Sequence, residues 1–230
     1  MSEKKEVKVM SNLRTANEIR AMENRRALEQ VFVFNLLGSP GAGKTTLLER
    51  TLAELTATTK VGVIEGDIYT TKDADRIARY GVPVVQINTG GGCHLDAAMV
   101  AGVLPRFDLP QLDMLVIENV GNLVCPADFD LGEDLKVVVL SITEGDDKPA
   151  KYPLIFRNAR AVVLNKMDLA GFTDVNLANL ERDIMGINPE AEIFRVSCRT
   201  GDGVDRWCGW LLGNLKKRVN SIYSTAPFII

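Results

Sequence analysis

The chain has 230 residues, 46% of them hydrophobic, enough to bury one sizeable core, so a single domain with terminal additions is expected. Its 27 basic and 30 acidic residues leave a net charge of −3, which excludes the broad positive field that sequence-independent nucleic-acid binding needs. The charged opening Met1-Ser2-Glu3-Lys4-Lys5-Glu6 leads into no apolar run, and no stretch of about 18 apolar residues occurs, so neither secretion nor membrane spanning is expected and the chain is placed in the cytoplasm.

Residues 1–30 are polar and charged, with weak helical spacing at Leu13, Ala16, Ile19 and Met22; they read as an N-terminal surface helix packed loosely on the domain. A domain over residues 31–220 follows. Short runs rich in β-branched residues at 31–37, 60–65, 83–88, 112–118, 136–142, 160–165 and 193–197 alternate with helical stretches. Several, such as Val137-Val138-Val139-Leu140, are apolar at consecutive positions, as a strand covered by helices on both faces requires. The fold class is therefore α/β, a doubly wound, mainly parallel β-sheet flanked by helices. Residues 221–230 form a tail that carries Pro227 and ends in Phe228-Ile229-Ile230, suited to docking on a neighbour or covering a core edge.

The run Gly38-Ser39-Pro40-Gly41-Ala42-Gly43-Lys44-Thr45 matches the P-loop pattern, with an apolar strand before it and a helix starting at Lys44-Thr45-Thr46 after it. Glycines let the backbone wrap a β-phosphate with successive N–H groups, and the helix N-terminus adds its positive dipole end. Lys44 places its charge between β- and γ-phosphates, and the Thr45 hydroxyl can ligate Mg²⁺. The choice of base comes from Asn165-Lys166-Met167-Asp168, which follows an apolar strand and resembles the guanine-specificity motif of GTPases. An Asp there accepts from the guanine N1 and exocyclic amine, donors that adenine does not present in that arrangement. Ser197-Cys198-Arg199-Thr200-Gly201 resembles the base-contacting loop of the same class, with Arg199 where Lys is commoner.

Four cysteines, Cys93, Cys125, Cys198 and Cys208, in a reducing compartment are core residues, metal ligands or redox thiols rather than disulfides. Gly90-Gly91-Gly92 delivers Cys93 and His94, the only histidine, to the expected start of a helix, where a cysteine has a lowered pKa. Thiolate with imidazole suits a borderline-soft ion such as Ni²⁺ or Zn²⁺, although core packing or a redox thiol would explain adjacent Cys and His equally well. Cys125 lies in Glu118-Asn119-Val120-Gly121-Asn122-Leu123-Val124-Cys125-Pro126, directly after the fourth strand, so three ligands can meet. Cys198, in the base loop, and Cys208, between Trp207 and Trp210, read as packing residues.

Taken together, the P-loop, Glu65-Gly66-Asp67, Gly90-Gly91-Gly92-Cys93-His94-Leu95, the 118–126 segment and Asn165-Lys166-Met167-Asp168 resemble the hydrogenase maturation nickel GTPases, the HypB family, from residue 11 onward. The resemblance implies GTP hydrolysis coupled to nickel delivery into [NiFe] hydrogenase, a GTP-dependent homodimer, and a nickel or zinc site of Cys93, His94 and Cys125 where two G-domains meet. It also implies two partners, a second nickel accessory protein and the hydrogenase large subunit. Some members carry N-terminal Cys-rich or His-rich nickel motifs; residues 1–30 hold neither Cys nor His, so no separate storage site is expected.

Thr45, Asp67 and Glu118 stand at strand carboxyl ends, where nucleotide-bound Mg²⁺ is expected. Glu118-Asn119-Val120-Gly121 occupies the place of D-x-x-G in common GTPases, so Gly121 offers its N–H to the γ-phosphate. No glutamine is placed to orient the attacking water; Asp67 and Asp73 are the candidates, and slow intrinsic turnover is expected. Lys148, after the fifth strand, either reaches a phosphate or base across a dimer or is a solvated lysine. The competing readings are a urease-type nickel accessory GTPase, whose motif is Cys-Pro-His, and a metal-binding regulatory module without turnover.

Overall fold

A computed structural model describes residues 3–69 and 71–225, with side chains described from 13 to 222 apart from 70. Seven strands, β1 (Phe32–Gly38), β2 (Val61–Asp67), β3 (Val84–Asn88), β4 (Met114–Glu118), β5 (Leu135–Ser141), β6 (Ala161–Asn165) and β7 (Glu192–Arg195), form one sheet in the order β3-β2-β4-β1-β5-β6-β7. Every pairing is parallel. All seven expected strands are present with small shifts at their ends. β1 and β4 are buried along their whole length, whereas the edge strand β3 is only half-buried and β7 is largely exposed, so unbroken apolar runs mark the centre of the sheet. β7 stops at Arg195, short of the expected Ser197, because the chain then turns: Ser197 N–H donates to the Asp202 carbonyl at 2.9 Å and Gly201 N–H to the Ser197 carbonyl at 2.8 Å.

The helices are α1 (Glu3–Ala27), α2 (Lys44–Leu55), α3 (Lys72–Ala78), α4 (Ala97–Val103), α5 (Lys148–Lys151), α6 (Pro153–Arg157), α7 (Leu177–Ile187) and α8 (Val204–Thr225). Alternate residues of the central strands feed two opposite cores. On one face Phe34, Val63, Val116 and Val139 pack against Leu48 and Leu52 of α2, Ile77 of α3, and Trp207 and Leu211 of α8. Opposite it, Ile64, Leu115 and Ile117 meet Val100 of α4, while Val138, Leu140, Val162 and Leu164 meet Ile155 of α6 and Leu180 and Ile184 of α7. Trp207 anchors α8: it is fully buried, donates its indole N–H to Thr51 Oγ1 at 2.9 Å, and meets Phe34 and Phe194 edge-on. Truncating such a side chain costs about 3–5 kcal/mol.

Two expectations at the ends of the chain change. α1 is not loosely packed, and its docked face is not the predicted Leu13–Ala16–Ile19–Met22 stripe: Leu13, Ile19 and Met22 are 59%, 56% and 54% exposed. The buried stripe runs through Asn17, Ala21, Asn24 and Leu28 at helical spacing. Asn24 Nδ2 donates to the Ala97 carbonyl at 2.8 Å and the Leu131 carbonyl at 2.9 Å, and Asn17 caps Ala97 N–H at 2.9 Å. An amide-and-alanine face carries no hydrophobic signature, which is why apolar periodicity picked the wrong side. At the other end, residues 221–225 continue α8 and are no tail; residues 226–230, with Pro227 and Phe228-Ile229-Ile230, lie outside the described residues.

Candidate nucleotide and metal site

In a wholly parallel sheet every strand-to-helix turn emerges at the same edge, and the switch in strand order around β1 opens a crevice there. A cavity of 440 Å³ fills it, lined by the loop from Pro40 to Thr46, by Asp67, Asp73 and Arg76, and by Glu118, Gly121 and Lys166. The loop geometry depends on two glycines. Gly43 has φ 96°, and a Cβ there would lie 2.3 Å from Asn165 Nδ2; a Cβ on Gly121 would lie 2.9 Å from the Pro40 nitrogen, so the 118–125 loop presses directly on the P-loop. Lys44 Nζ donates to the Gly38 carbonyl at 3.3 Å, and the Thr45 hydroxyl donates to Glu118 Oε1 at 2.8 Å. Lys44 is thus held in the mouth of the loop, and Thr45 is joined to the carboxyl end of β4.

Sequence reasoning gave no role to two groups in this cavity, Glu65 and Arg76. Glu65 sits opposite Glu118 in the β2–β4 register, and both carboxyls are buried. Burial, then the neighbouring Glu118 charge, pushes Glu65 up to about 11; burial lifts Glu118 to about 7 against the pull of Lys44. A carboxylate inside the apolar strand Val61-Gly62-Val63-Ile64-Glu65 was the available signal. Asp67, the last residue of β2, accepts from Ile68 N–H and, at 3.3 Å, from Tyr69 N–H, so it shapes the turn that leads to Asp73.

At the opposite end of the crevice the base motif is built from mutual hydrogen bonds. Asn165 Nδ2 donates to the Ala42 carbonyl at 3.0 Å, while its Oδ1 accepts from Lys166 N–H at 2.7 Å and Cys198 N–H at 3.2 Å. Lys166 takes the left-handed φ of 64°, the one non-glycine residue among those described to do so, and donates to the Gly41 carbonyl at 2.8 Å. Ser197, fully buried, donates to Asp168 Oδ1 at 2.6 Å and fixes that carboxylate; Arg199 stands 3.8 Å from its other oxygen. Ser197 and Asn165 therefore orient the other groups of the motif. Arg50 of α2, also unassigned from sequence, ties the base loop down through the Cys198 carbonyl at 2.7 Å and the Arg199 carbonyl at 3.0 Å. The Cys198 and Cys208 thiols lie in the core, and burial pushes them up to about 11 and about 12.

Beyond Gly121 the chain reaches the second cluster. The ligand atoms of Cys93, His94 and Cys125 lie within 4.8 Å of one another, all from one chain. His94 packs on the Phe129 ring, centroids 4.0 Å apart, and burial lowers its pKa. The expectation of a helix start at Cys93 with a lowered thiol pKa is corrected: α4 begins at Ala97, capped by Asp96, which accepts from Met99 N–H at 2.7 Å. Cys93, on the turn before it, is instead raised, first by its hydrogen bond with the free Cys125 thiol and then by burial. Asn122 joins the two clusters. Its N–H donates to the Gly38 carbonyl at 3.0 Å, its Nδ2 to the Cys93 carbonyl at 3.2 Å, and its Oδ1 accepts from Val124 N–H at 2.8 Å. Asn119 adds a second link by accepting from Leu95 N–H at 3.0 Å. Lys148 opens the short helix α5, with its ammonium 5.9 Å from the Tyr152 ring centroid.

Fold and site together define a P-loop GTPase with a thiol–imidazole cluster beside its phosphate cavity. Residues 32–195 match the family model described as "CobW/HypB/UreG, nucleotide-binding domain". The hydrogenase maturation factor HypB of Escherichia coli K12 is 47% identical over 213 residues, 92% of this chain and 73% of that protein. The hydrogenase/urease maturation factor HypB of Helicobacter pylori is 39% identical over 96% of this chain and 93% of its own length. Among solved structures, HypB from Archaeoglobus fulgidus superposes with a TM-score of 0.82 at 41% identity, covering 87% of this chain and 99% of that one. The H. pylori HypB structure "in complex with nickel" gives 0.83 at 38%, covering 89% and 97%. The chain belongs to the HypB family of hydrogenase maturation factors.

Proposed function

We propose that this protein is a cytoplasmic GTPase that carries nickel on Cys93, His94 and Cys125 and, through GTP-driven homodimerisation, releases it to [NiFe] hydrogenase during maturation. The observation that carries the reading is the meeting of those three ligand atoms within 4.8 Å at the end of the loop that lines the phosphate cavity. Two thiols and an imidazole suit Ni²⁺ and also Zn²⁺. A further position on the ion is left for a ligand from a second copy or a recipient. In the nucleotide site Lys44 neutralises β- and γ-phosphate charge and Gly121 N–H contacts the γ-phosphate. Guanine is held by Asp168, with Ser197, Cys198 and Arg199 closing the base loop. Buried Glu65 Oε2 and Glu118 Oε2 lack hydrogen-bond partners, and beside the Thr45 hydroxyl and Asp67 they make a hard-oxygen set that fits Mg²⁺. Bound there, the cation would neutralise charge developing on the phosphates. Asp67 has its Oδ1 taken by the turn after β2 and belongs to the Mg²⁺ set, which leaves Asp73, at the cavity wall, to orient the attacking water. Lys148 serves the partner's nucleotide in the dimer.

Loss of the γ-phosphate moves Gly121, and Asn122 passes that movement to Cys93, so nucleotide state biases nickel affinity and nickel biases nucleotide affinity. Phosphate release from GTP, abolished in Lys44→Ala, together with Ni²⁺ binding lost in Cys125→Ser, tests the two halves. A Cys125→Ser protein with wild-type Ni²⁺ affinity would overturn the metal assignment. The urease reading is favoured by no residue, since Cys93-His94 replaces the Cys-Pro-His motif.

A further inference from the structure

Arg76 lines the phosphate cavity, yet its guanidinium is turned onto protein groups of two different helices. On α2, Nη2 donates to Thr46 Oγ1 at 3.1 Å and to Glu49 Oε2, and Nε donates to Glu49 Oε1 at 3.2 Å. On α3, Nη1 donates to Asp73 Oδ1 at 2.9 Å. The fork thus grips Glu49 with two nitrogens, the strong bidentate geometry that only arginine offers, and keeps its remaining arm for Asp73. α2 is the rigid side of this link. It carries Lys44 and Thr45, and Leu47, Leu48, Thr51, Leu52 and Leu55 bury it in the core.

α3 is the weak side. It spans only Lys72–Ala78 and buries one residue, Ile77, far too little for a helix of that length to hold its place by itself. Asp73, in its first turn, also faces the buried carboxyls of Glu65 and Glu118 and disfavours their ionised forms. Thr71 makes no side-chain hydrogen bond that caps the helix, so α3 lacks that anchor as well.

We propose that Arg76 is a positioning residue for GTP hydrolysis, clamping α3 to α2 so that the Asp73 carboxylate stays at the cavity wall where the attacking water is oriented. The inference rests on the assignment of water orientation to Asp73. Arg76 acts on chemistry through Asp73 and not through nucleotide affinity, which Lys44 and the glycine backbone provide.

The test is a double-mutant cycle in GTP turnover on the full chain, with GDP affinity and thermal unfolding followed in parallel. Asp73→Asn and Arg76→Ala should each lower kcat by about tenfold to a hundredfold, the range expected when a reacting group is misplaced by about an ångström, with KM for GTP nearly unchanged. Combined, they should cost no more than Asp73→Asn alone, because residues acting as one unit are not additive. Arg76→Lys should recover part of kcat. Glu49→Gln, which keeps the Arg76–Asp73 contact and weakens its anchor, should lower kcat less, again without adding to Arg76→Ala; this variant decides the matter if Arg76→Ala proves unfolded. Multiplying losses in the double variant, or an Arg76→Ala enzyme that keeps wild-type kcat while Asp73→Asn is impaired, would overturn the clamp and leave the Asp73 assignment standing. Full turnover by Asp73→Asn would instead overturn that assignment, and the clamp with it.

Discussion

Replacing Asn122 with Ala isolates the proposed link between nucleotide and metal, because this side chain touches the Cys93 loop while its backbone holds the P-loop. The substitution removes the 3.2 Å bond to the Cys93 carbonyl and the 2.8 Å bond from Val124 N–H, and leaves the backbone bond to Gly38 in place. Hydrogen bonds of this kind contribute about 0.5–1.5 kcal/mol each, so the pair amounts to about 1–3 kcal/mol. That is the size of a typical coupling free energy, which corresponds to a change of about 5–150-fold in affinity. If the coupling runs through Asn122, the ratio of Ni²⁺ affinities between the GDP and GTP-analogue states should collapse towards one, while GTP affinity of the metal-free protein stays within about twofold. Competition with a chromophoric chelator in each nucleotide state measures both affinities. A variant that keeps the wild-type ratio would refute the route through Asn122, and a wild-type protein with equal affinities in both states would refute the coupling itself.

Three further perturbations test separate parts of the structure. The folded chain holds protons on Glu65 and Glu118 that the unfolded chain releases near 4.5, so stability of the cation-free protein should fall as pH rises from there, through about 7 for Glu118 and further for Glu65. Glu65→Gln removes one of these ionisations and should flatten the urea midpoint between about pH 5 and 8; a variant as pH-sensitive as the wild type would contradict the buried carboxyl pair. Asn24→Ala strands the Ala97 and Leu131 carbonyls and should cost about 1–3 kcal/mol in urea unfolding, whereas a neutral result would show that α1 docks by other means. Arg50→Ala frees the base loop at Cys198 and Arg199 and should weaken GDP binding with little effect on Mg²⁺ dependence, as calorimetry with and without the cation would reveal.

The fold was legible because its central strands are buried on both faces and write that fact as continuous apolar runs, as in Val137–Leu140. The phosphate loop was legible for a similar reason: close approach of the peptide backbone to a phosphate demands glycine at fixed places, and the sequence records it. What stayed hidden were groups whose roles lie in their partners. Asn17 and Asn24 dock α1 through backbone carbonyls and amides, and Arg76 and Arg50 join segments far apart in sequence. Each is an ordinary surface-type residue until the fold supplies the other end of the bond. The thiol pKa of Cys93 failed differently, since the helix start was assigned four residues too early and the adjacent Cys125 outweighs the dipole.

Sheet order explains why the Cys93–His94–Cys125 cluster lies beside the phosphate-loop cavity. β3 and β4 are not neighbours; β2 lies between them. Cys93 and His94 come from the loop after β3 and Cys125 from the loop after β4, so the cluster can close only by spanning the carboxyl end of β2, where Asp67 begins the turn towards Asp73. The loop after β4 also has to pass Pro40 at Gly121 before it reaches Cys125. Both arms of the cluster are therefore tied to elements that line the phosphate cavity, and neither arm can move independently of it. A peptide that carried Cys93 and His94 without this sheet would have to order its glycine run at the moment of binding and would lack Cys125, and should hold Ni²⁺ more weakly than the folded chain for both reasons.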